Sequence, residues 1–256
     1  MHPQLLDLYI FIVGLCLGSF LNVCIYRLPE NRSIVRPPSA CGVCGRPIRW
    51  YDNIPVLSYI ALRGRCRHCK ASFSVRYPIV ELLTGLFALA IWFQFGPTPQ
   101  SAVYFAFIAS LLVITFIDID HRIIPDVISL PGIGLGFGCS FLVPHLSWSN
   151  SLIGILVGGG VLFLVIYGYY LVTGVMGMGL GDVKLLAMIG AFIGWQGVLF
   201  TIMASSFIGT IVGVAEMIRT RQGLKLAIPF GPFLAMGAVL YIFFGPQLIE
   251  WYLFRL

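Results

Sequence analysis

The stretch LYIFIVGLCLGSFLNVCIY, residues 8–26, contains no charged residue and is apolar over most of its length. A helix of about 20 apolar residues is long enough to cross a hydrocarbon core of ~30 Å. Four longer uncharged runs follow at 82–117, 127–181, 185–215 and 226–249. Because hydrophobic residues make up 59% of the 256 residues and charged residues only 10%, the sequence predicts a polytopic membrane protein.

Breaks rich in glycine, proline and polar residues divide three of these runs into pairs of helices. They lie at 96–100, 144–150 and 194–197. We therefore predict an all-α fold of about eight transmembrane helices, with the sixth and seventh joined as a hairpin at 194–197. Counting back from Gly194, the sixth helix reaches a spanning length only if it begins near Met178.

The distribution of basic residues predicts the orientation. Segment 27–81 contains ten basic and three acidic residues, and cytoplasmic loops collect lysine and arginine. With eight spans this segment is cytoplasmic, both termini lie outside, and only Arg255 among the basic residues faces outward. A single helix over 185–215 would leave three further basic residues outside, which favours the hairpin. We attribute the net charge of +6 to this topology and to anionic lipid, and we expect no nucleic-acid partner.

Two C-x-x-C pairs lie in this loop, Cys41 with Cys44 and Cys66 with Cys69. Four thiolates in two such pairs suit tetrahedral zinc, and a cytoplasmic location disfavours two disulfides. A redox or disulfide role stays open, as does His68 as a substitute ligand. The other three cysteines lie in apolar spans, where a free cysteine usually acts as a small hydrophobic residue; they are Cys16, Cys24 and Cys139.

The sequence suggests three parts. Residues 1–26 form the first transmembrane helix, which we interpret as uncleaved. Residues 27–77 form a small zinc-ribbon-like cytoplasmic domain between helices 1 and 2, too short to build a sufficient core without the metal. Residues 78–256 form a seven-helix membrane domain.

Two aspartates end long uncharged runs, Asp118 in FIDIDHR (116–122) and Asp182 in GMGLGD (177–182). Residues two apart on a helix point to nearly opposite sides, whereas residues four apart share a side, so Asp118 and Asp120 cannot both face one partner. The topology puts Asp118 and Asp182 on the same membrane face. Two close carboxylates can share one proton and catalyse peptide hydrolysis as an aspartic dyad.

Simpler roles exist for these acids. They could neutralise Arg122 and Lys184, and Lys184 could extend its amine outward from the membrane boundary. For Asp126, which follows Pro125 and precedes a span, a helix cap is the preferred interpretation. A row of glycines in the later helices would either let the spans part or allow close helix packing; it comprises Gly154, Gly158, Gly159, Gly160, Gly209 and Gly213.

Several motifs in order resemble one family over nearly the whole chain. They are GSFLNVCIYRLP (18–29), the four cysteines, NIPVLS (53–58), RYPIVELL (76–83), the Asp118 segment and GLGD (179–182). The chain thereby resembles the type IV prepilin peptidases, GxGD aspartyl membrane proteases that also act as N-methyltransferases in bacterial type IV pilus and type II secretion systems. The resemblance implies Asp118 and Asp182 as catalytic residues, with Asp120 as the runner-up to Asp118.

This resemblance also implies the substrates, the cofactor and the location. Prepilins and pseudopilins would lose a short basic leader at the cytoplasmic face of the inner membrane, after a glycine. The new amino terminus would be methylated with S-adenosylmethionine. No G-x-G-x-x-G motif is present to hold that donor, so its candidate residues follow from the resemblance alone: Asn22, Arg27, Gly64 and Glu81.

Two alternatives remain open. Acidic residues in membrane spans also mark proton- or ion-coupled transporters, although transport would favour acids near the midplane and helix breaks mirrored between halves. A GxGD protease of other specificity, without methyltransferase activity, is the second alternative.

Overall fold

The computed structural model describes residues 3–144, 146–174, 179–220 and 228–254. Within these ranges the chain is helical apart from the loop that contains the four cysteines and from short connections. The helices are α1 Pro3–Arg27, α2 Leu57–Ala61, α3 Arg76–Phe95, α4 Pro99–His121, α5 Asp126–Cys139, α6 Trp148–Thr173, α7 Leu180–Thr220 and α8 Gly231–Phe254. A short 3-10 turn spans Trp50–Asn53.

The chain divides into two compact units. The first unit comprises Met1–Ser101 and the second Ala102–Leu256. These boundaries group residues by their packing, whereas the three-part division at residues 26 and 77 separates loop from membrane. That division therefore stays a prediction.

In the first unit, α1 and α3 pack with their backbones close together. A Cβ atom at Gly18 would lie 2.7 Å from the Cα of Glu81, and one at Gly14 would lie 2.8 Å from the Cα of Gly85. Glycine is therefore required where these helices cross. Between them, the two C-x-x-C pairs form small knuckles, each closed by an isolated antiparallel bridge, Ala40 with Pro47 and Arg65 with Ser72.

In the second unit, α6 and α7 pack through glycines. A Cβ atom at Gly154 would lie 2.3 Å from the carbonyl oxygen of Gly190, and one at Gly158 would lie 2.4 Å from that of Leu186. Close packing, one of the two interpretations of the glycine row, is therefore confirmed at these two positions. At Gly160 a Cβ atom would meet open space, so packing does not explain that glycine.

The helix α7 is broken at Gly194, where the backbone adopts φ 72° and ψ 178°. These angles lie outside the helical region and in a region that favours glycine. The contacts on either side of this residue test whether the break is the predicted hairpin.

A straight α7 would place Asp182 and Gly213 about 46 Å apart, because an α-helix rises 1.5 Å per residue. Gly213 instead lies against Ile228, with its built Cβ 3.6 Å from Cδ1. Three residues further on, Gly231 donates a hydrogen bond to Asp118, whose carboxylate is close enough to Asp182 for direct electrostatic interaction. Both ends of α7 therefore lie at the same end of the unit, and the predicted hairpin is confirmed.

The predicted number of spans is also confirmed. Five helices are long and apolar enough to cross a membrane, and α5 and the start of α8 are shorter apolar helices. Since α7 folds back at Gly194, these segments amount to eight in the described part of the chain. The sixth span begins at Leu180; the start expected near Met178 lies outside the described residues.

Candidate aspartate, metal and cavity sites

Asp118 lies in the last turn of α4 and is 5% exposed. The helix ends at His121, and Arg122 follows with a left-handed φ of 56°, a conformation in which many helices end. The Oδ2 atom of Asp118 accepts a hydrogen bond of 3.0 Å from the backbone N–H of Gly231. The carboxylate is therefore buried and held by the backbone of a neighbouring helix.

Asp182 lies in the first turn of α7 and is 9% exposed. Its backbone N–H donates to the carbonyl of Gly179 at 3.3 Å. Gly181 packs against Ile124, with a built Cβ 3.0 Å from the Ile124 Cβ, so the glycine lets the start of α7 approach the α4–α5 loop. The carboxylates of Asp118 and Asp182 are close enough to repel each other.

Gly231, which the sequence analysis missed, is the first residue of α8. The amino terminus of a helix carries partial positive charge and free N–H groups, which stabilise an anion. A Cβ atom at this position would lie 2.7 Å from Oδ2 of Asp118, so only glycine allows the carboxylate to come so near. Its sequence signal is the dipeptide Gly231-Pro232, since proline favours the first turn of a helix.

The neighbours of Asp118 occupy other positions. Asp120 is exposed, so the two aspartates do not share an environment. The backbone N–H of Arg122 donates a hydrogen bond of 2.9 Å to the Asp118 carbonyl. Because α4 ends at His121, one residue before Arg122, helical spacing alone does not relate the side chains of Asp118 and Arg122.

Asp126 is not the N-cap residue of α5, so the cap interpretation was wrong. The cap residue is Pro125, without a side-chain cap hydrogen bond, and Asp126 lies in the first helical turn. Its two carboxylate oxygens accept hydrogen bonds of 2.7 and 2.8 Å from Nζ of Lys184. This pair connects the start of α5 to the start of α7, two residues after Asp182.

The four predicted metal ligands come together. The sulfur atoms of Cys41, Cys44, Cys66 and Cys69 all lie within 4.8 Å of one another, and those of Cys41 and Cys69 are 3.7 Å apart. Tetrahedral zinc with Zn–S bonds of ~2.3 Å requires sulfurs about 3.8 Å apart. The cluster therefore fits structural zinc.

The surroundings favour the thiolate form at Cys41 and Cys66 but not at Cys69. A backbone hydrogen bond from Ala71 lowers the pKa of Cys69, but desolvation and the neighbouring thiols raise it to about 11. Backbone N–H groups of Cys44 and Val43 hydrogen-bond to the Cys41 sulfur and lower the pKa of this thiol to about 6. All seven cysteines are free thiols. His68 is not part of the cluster; its Nδ1 atom lies 3.0 Å from Nη1 of Arg46.

A cavity of about 410 Å³ opens between α1, α3 and the cysteine loop, within the first unit. This volume lies in the range typical of small-molecule sites. All four residues implied for the methyl donor line this cavity: Asn22, Arg27, Gly64 and Glu81. The structure therefore brings them together, although they are spread over 60 residues of sequence.

Two of these residues are buried where α1 and α3 meet the loop. Glu81 is 7% exposed, and its Oε2 atom accepts a hydrogen bond of 2.7 Å from the backbone N–H of Val56. Val56 has a φ of 61°, which is costly for a β-branched residue. Asn22 is 6% exposed and donates to the Tyr77 carbonyl at 3.0 Å, so it bonds between helices.

The other two shape the loop. The guanidinium of Arg27 donates to the carbonyls of Ser33 and Pro37 at 2.9 and 2.7 Å. Gly64 has a φ of 65°, and a Cβ atom there would lie 2.8 Å from the Tyr59 hydroxyl. Both residues thus hold the backbone that surrounds the cavity.

Two family models match the chain, one over the cysteines and the cavity and the other over the two buried aspartates. Residues 12–95 match the bacterial peptidase A24 N-terminal domain, and residues 105–214 match the type IV leader peptidase family. A prepilin leader peptidase/N-methyltransferase of Pseudomonas aeruginosa is 39% identical over 98% of this chain and 95% of its own length. The chain belongs to the type IV leader peptidase family.

Other members of the leader peptidase family are similar over the same length. Proteins of the same name from Pseudomonas putida and Aeromonas hydrophila are 36% and 35% identical, over 97% and 98% of this chain and 94% and 95% of their own lengths. No solved structure matches the chain significantly. In this leader peptidase family member, the first match contains the cysteines and the cavity, and the second contains both buried aspartates.

Proposed function

We propose that the chain is a bifunctional enzyme that removes the leader of type IV prepilins and type II secretion pseudopilins and then methylates the new amino terminus. Relatives named prepilin leader peptidase/N-methyltransferase match it almost end to end. The buried pair Asp118 and Asp182 carries the first half of this proposal. The cavity beside Glu81 supports the second half.

For cleavage, Asp118 and Asp182 act as the catalytic dyad. One carboxylate takes a proton from the attacking water, and its protonated partner donates to the carbonyl oxygen of the scissile bond. The hydrogen bond from Gly231 stabilises charge on Asp118, so Asp118 is the better candidate for the ionised member. Asp182, with desolvation and a neighbouring carboxylate, is the better candidate for the protonated one.

The position of the dyad suits a substrate that is itself a membrane helix. Asp118 lies three residues before the end of α4, and Asp182 lies in the first turn of α7. Both are therefore near one end of their spans, whereas a transporter would place them near the midplane. The positive charge of the 27–81 loop supports a cytoplasmic active site in a multi-pass protein of the bacterial inner membrane, with both termini outside.

For methylation, the cavity in the first unit holds the donor. S-adenosylmethionine supplies the methyl group when bound there. Glu81 offers the buried carboxylate, which suits a cationic sulfonium or amine. Asn22 and Arg27 hold the walls through the hydrogen bonds described above, and Gly64 lets the loop turn beside Tyr59. Zinc on the four cysteines holds the loop in shape.

The peptidase proposal is tested with prepilin in membranes that contain each variant. We expect Asp118→Ala and Asp182→Ala each to abolish leader removal, measured as the shift from prepilin to pilin on a gel. Asp120→Ala is the matched control and should keep appreciable activity. Full processing by either of the first two variants would contradict the dyad.

The methylation proposal is tested by mass spectrometry of the mature pilin. With added S-adenosylmethionine, the new amino terminus should gain about 14 mass units, the mass of a CH₂ group, because one hydrogen is replaced by a methyl group. Glu81→Gln should cleave normally but leave this terminus unmethylated. An unmethylated product from the unaltered protein would leave only the peptidase.

A further inference from the structure

One wall of the cavity consists of the 3-10 turn Trp50–Asn53 and the helix α2 that follows it. Asp52, Asn53 and Val56 from this wall line the cavity. Its internal hydrogen bonds run through Ser58, which accepts from the Ile54 N–H at 3.0 Å and donates to the Tyr51 carbonyl at 2.9 Å. These bonds give the wall its shape but do not attach it to its surroundings.

The wall is attached at Val56, at Asp52 and at Tyr59, whose hydroxyl donates to the Phe73 carbonyl at 3.3 Å. The attachments at Val56 and Asp52 come from different parts of the unit. At Val56 the backbone N–H is bound by Glu81 of α3. At Asp52 the carboxylate is bound by Arg67 of the second cysteine knuckle. The Arg67 Nε donates to both oxygens, at 3.0 and 2.9 Å, and Nη2 donates to Oδ1 at 2.6 Å.

The Asp52–Arg67 contact differs from an ordinary surface ion pair. The Asp52 side chain is only 9% exposed although the loop around it is largely open to solvent, and the Arg67 side chain is 49% exposed. Bidentate pairing of arginine with a carboxylate fixes the orientation of the two groups as well as the distance between them. The same guanidinium lies 5.6 Å from the centre of the Tyr51 ring, a cation–π contact that holds it further.

Arg67 is placed by the metal site, because it lies between two of the four cysteines. Hydrogen bonds from the Cys66 N–H to the Ala71 carbonyl and from the Lys70 N–H to the Cys66 carbonyl close this knuckle. The conformation of the second cysteine knuckle therefore determines where the Arg67 guanidinium lies.

We propose that Arg67 and Asp52 are positioning residues that connect the cysteine site to the methyl-donor cavity, a role that rests on the proposed methyltransferase function. The metal site holds the knuckle, the knuckle holds Arg67, and Arg67 holds the wall through Asp52. Zinc thus acts on methylation through the shape of the cavity and without contact with the donor.

The test measures binding of S-adenosylmethionine to purified full-length protein by equilibrium dialysis. We expect Arg67→Ala and Asp52→Ala each to weaken binding about tenfold, the effect of losing ~1.4 kcal/mol. The double variant should bind no more weakly than either single variant, because both remove the same contact. Arg67→Lys should recover only part of the affinity, since lysine cannot pair through two parallel bonds.

Three further measurements give the proposal its controls. Zinc content should stay at the level of the unaltered protein in every variant, and the rate of leader removal should not change. Arg46→Ala removes an arginine that contacts the same knuckle at His68, and it should leave donor affinity unchanged. In methylation assays the KM for the donor should rise while kcat stays nearly constant.

The outcomes of this test distinguish failure of the methyltransferase proposal from failure of the connection. If the unaltered protein binds no S-adenosylmethionine, the methyltransferase proposal fails. If it binds and the two alanine variants bind equally well, only the connection between metal site and cavity fails. Loss of zinc or of leader removal in the variants would also overturn the connection, because the pair would then maintain the fold in general.

Discussion

The backbone N–H of Gly231 donates a hydrogen bond of 3.0 Å to Oδ2 of Asp118 across 113 residues of sequence. Gly231 is the first residue of α8, so the positive end of this helix points at the Asp118 carboxylate. The contact explains how a buried aspartate at the end of α4 can carry negative charge. Asp118 has this donor, and Asp182 has a neighbouring carboxylate instead, so the two acids differ in environment.

Replacement of Gly231 by alanine should impair leader removal. The new Cβ would lie 2.7 Å from Oδ2 of Asp118, so the carboxylate must move and its hydrogen bond is lost. Loss of one oriented donor costs roughly 10²-fold in rate in other hydrolases, and we expect a fall in kcat of that order in a prepilin processing assay. Gly134→Ala, where the Cβ meets open space, is the control and should process prepilin at the normal rate. Normal processing by the Gly231 variant would contradict the role of this contact.

Loss of the Lys184–Asp126 pair should slow cleavage with little loss of stability. The pair is partly exposed, so its removal should change the free energy of unfolding by less than about 1 kcal/mol. It connects the α5 start to the helix that carries Asp182, and Lys184→Ala should therefore lower kcat several-fold. Arg219→Ala breaks another exposed pair on α7, with Glu216, and serves as the control.

A charge exchange separates position from charge in this pair. Asp126→Lys combined with Lys184→Asp should recover more activity than either single change, because the attraction between the two positions is restored. If the double variant is as slow as the slower single variant, the pair does not position Asp182.

Close packing of α6 on α7 should make Gly154 intolerant of any side chain. A Cβ there would lie 2.3 Å from the Gly190 carbonyl oxygen, so the helices must separate. We expect Gly154→Ala to destabilise the protein by about 1–3 kcal/mol, measured as a lower midpoint of thermal unfolding in detergent. Gly160→Ala on the same helix meets open space and should leave the midpoint unchanged; equal stability of both variants would refute the packing argument.

Zinc should be present at about one atom per chain, as four cysteines supply a complete tetrahedral set. Cys41→Ser and Cys66→Ser should each lose the metal in elemental analysis and reduce methylation more than cleavage. Cys139→Ser lies outside the cluster and should keep it. Acidification should release zinc, because protons compete with the metal for thiolates.

The sequence determined the features that depend on local composition. Uncharged runs and their breaks predicted eight spans and the hairpin at Gly194, since crossing a membrane requires apolar length and satisfied backbone groups. The spacing of the four cysteines predicted a metal site, because a C-x-x-C pair brings two ligands together locally. The buried aspartates stood out because charge is costly in an apolar environment.

Only the tertiary structure decided which distant groups meet. The approach of Gly231 to Asp118, the pair of Asp126 with Lys184 and the hold of Arg67 on Asp52 join positions between 15 and 113 residues apart. Hydrophobic periodicity does not predict such contacts, because a helix that is apolar on all sides does not show which face packs against which neighbour. The end of α4 before Arg122 likewise follows from the backbone after His121 and not from helical spacing. The sequence thus identified the candidate reactive residues, and tertiary packing decided which groups contact and position them.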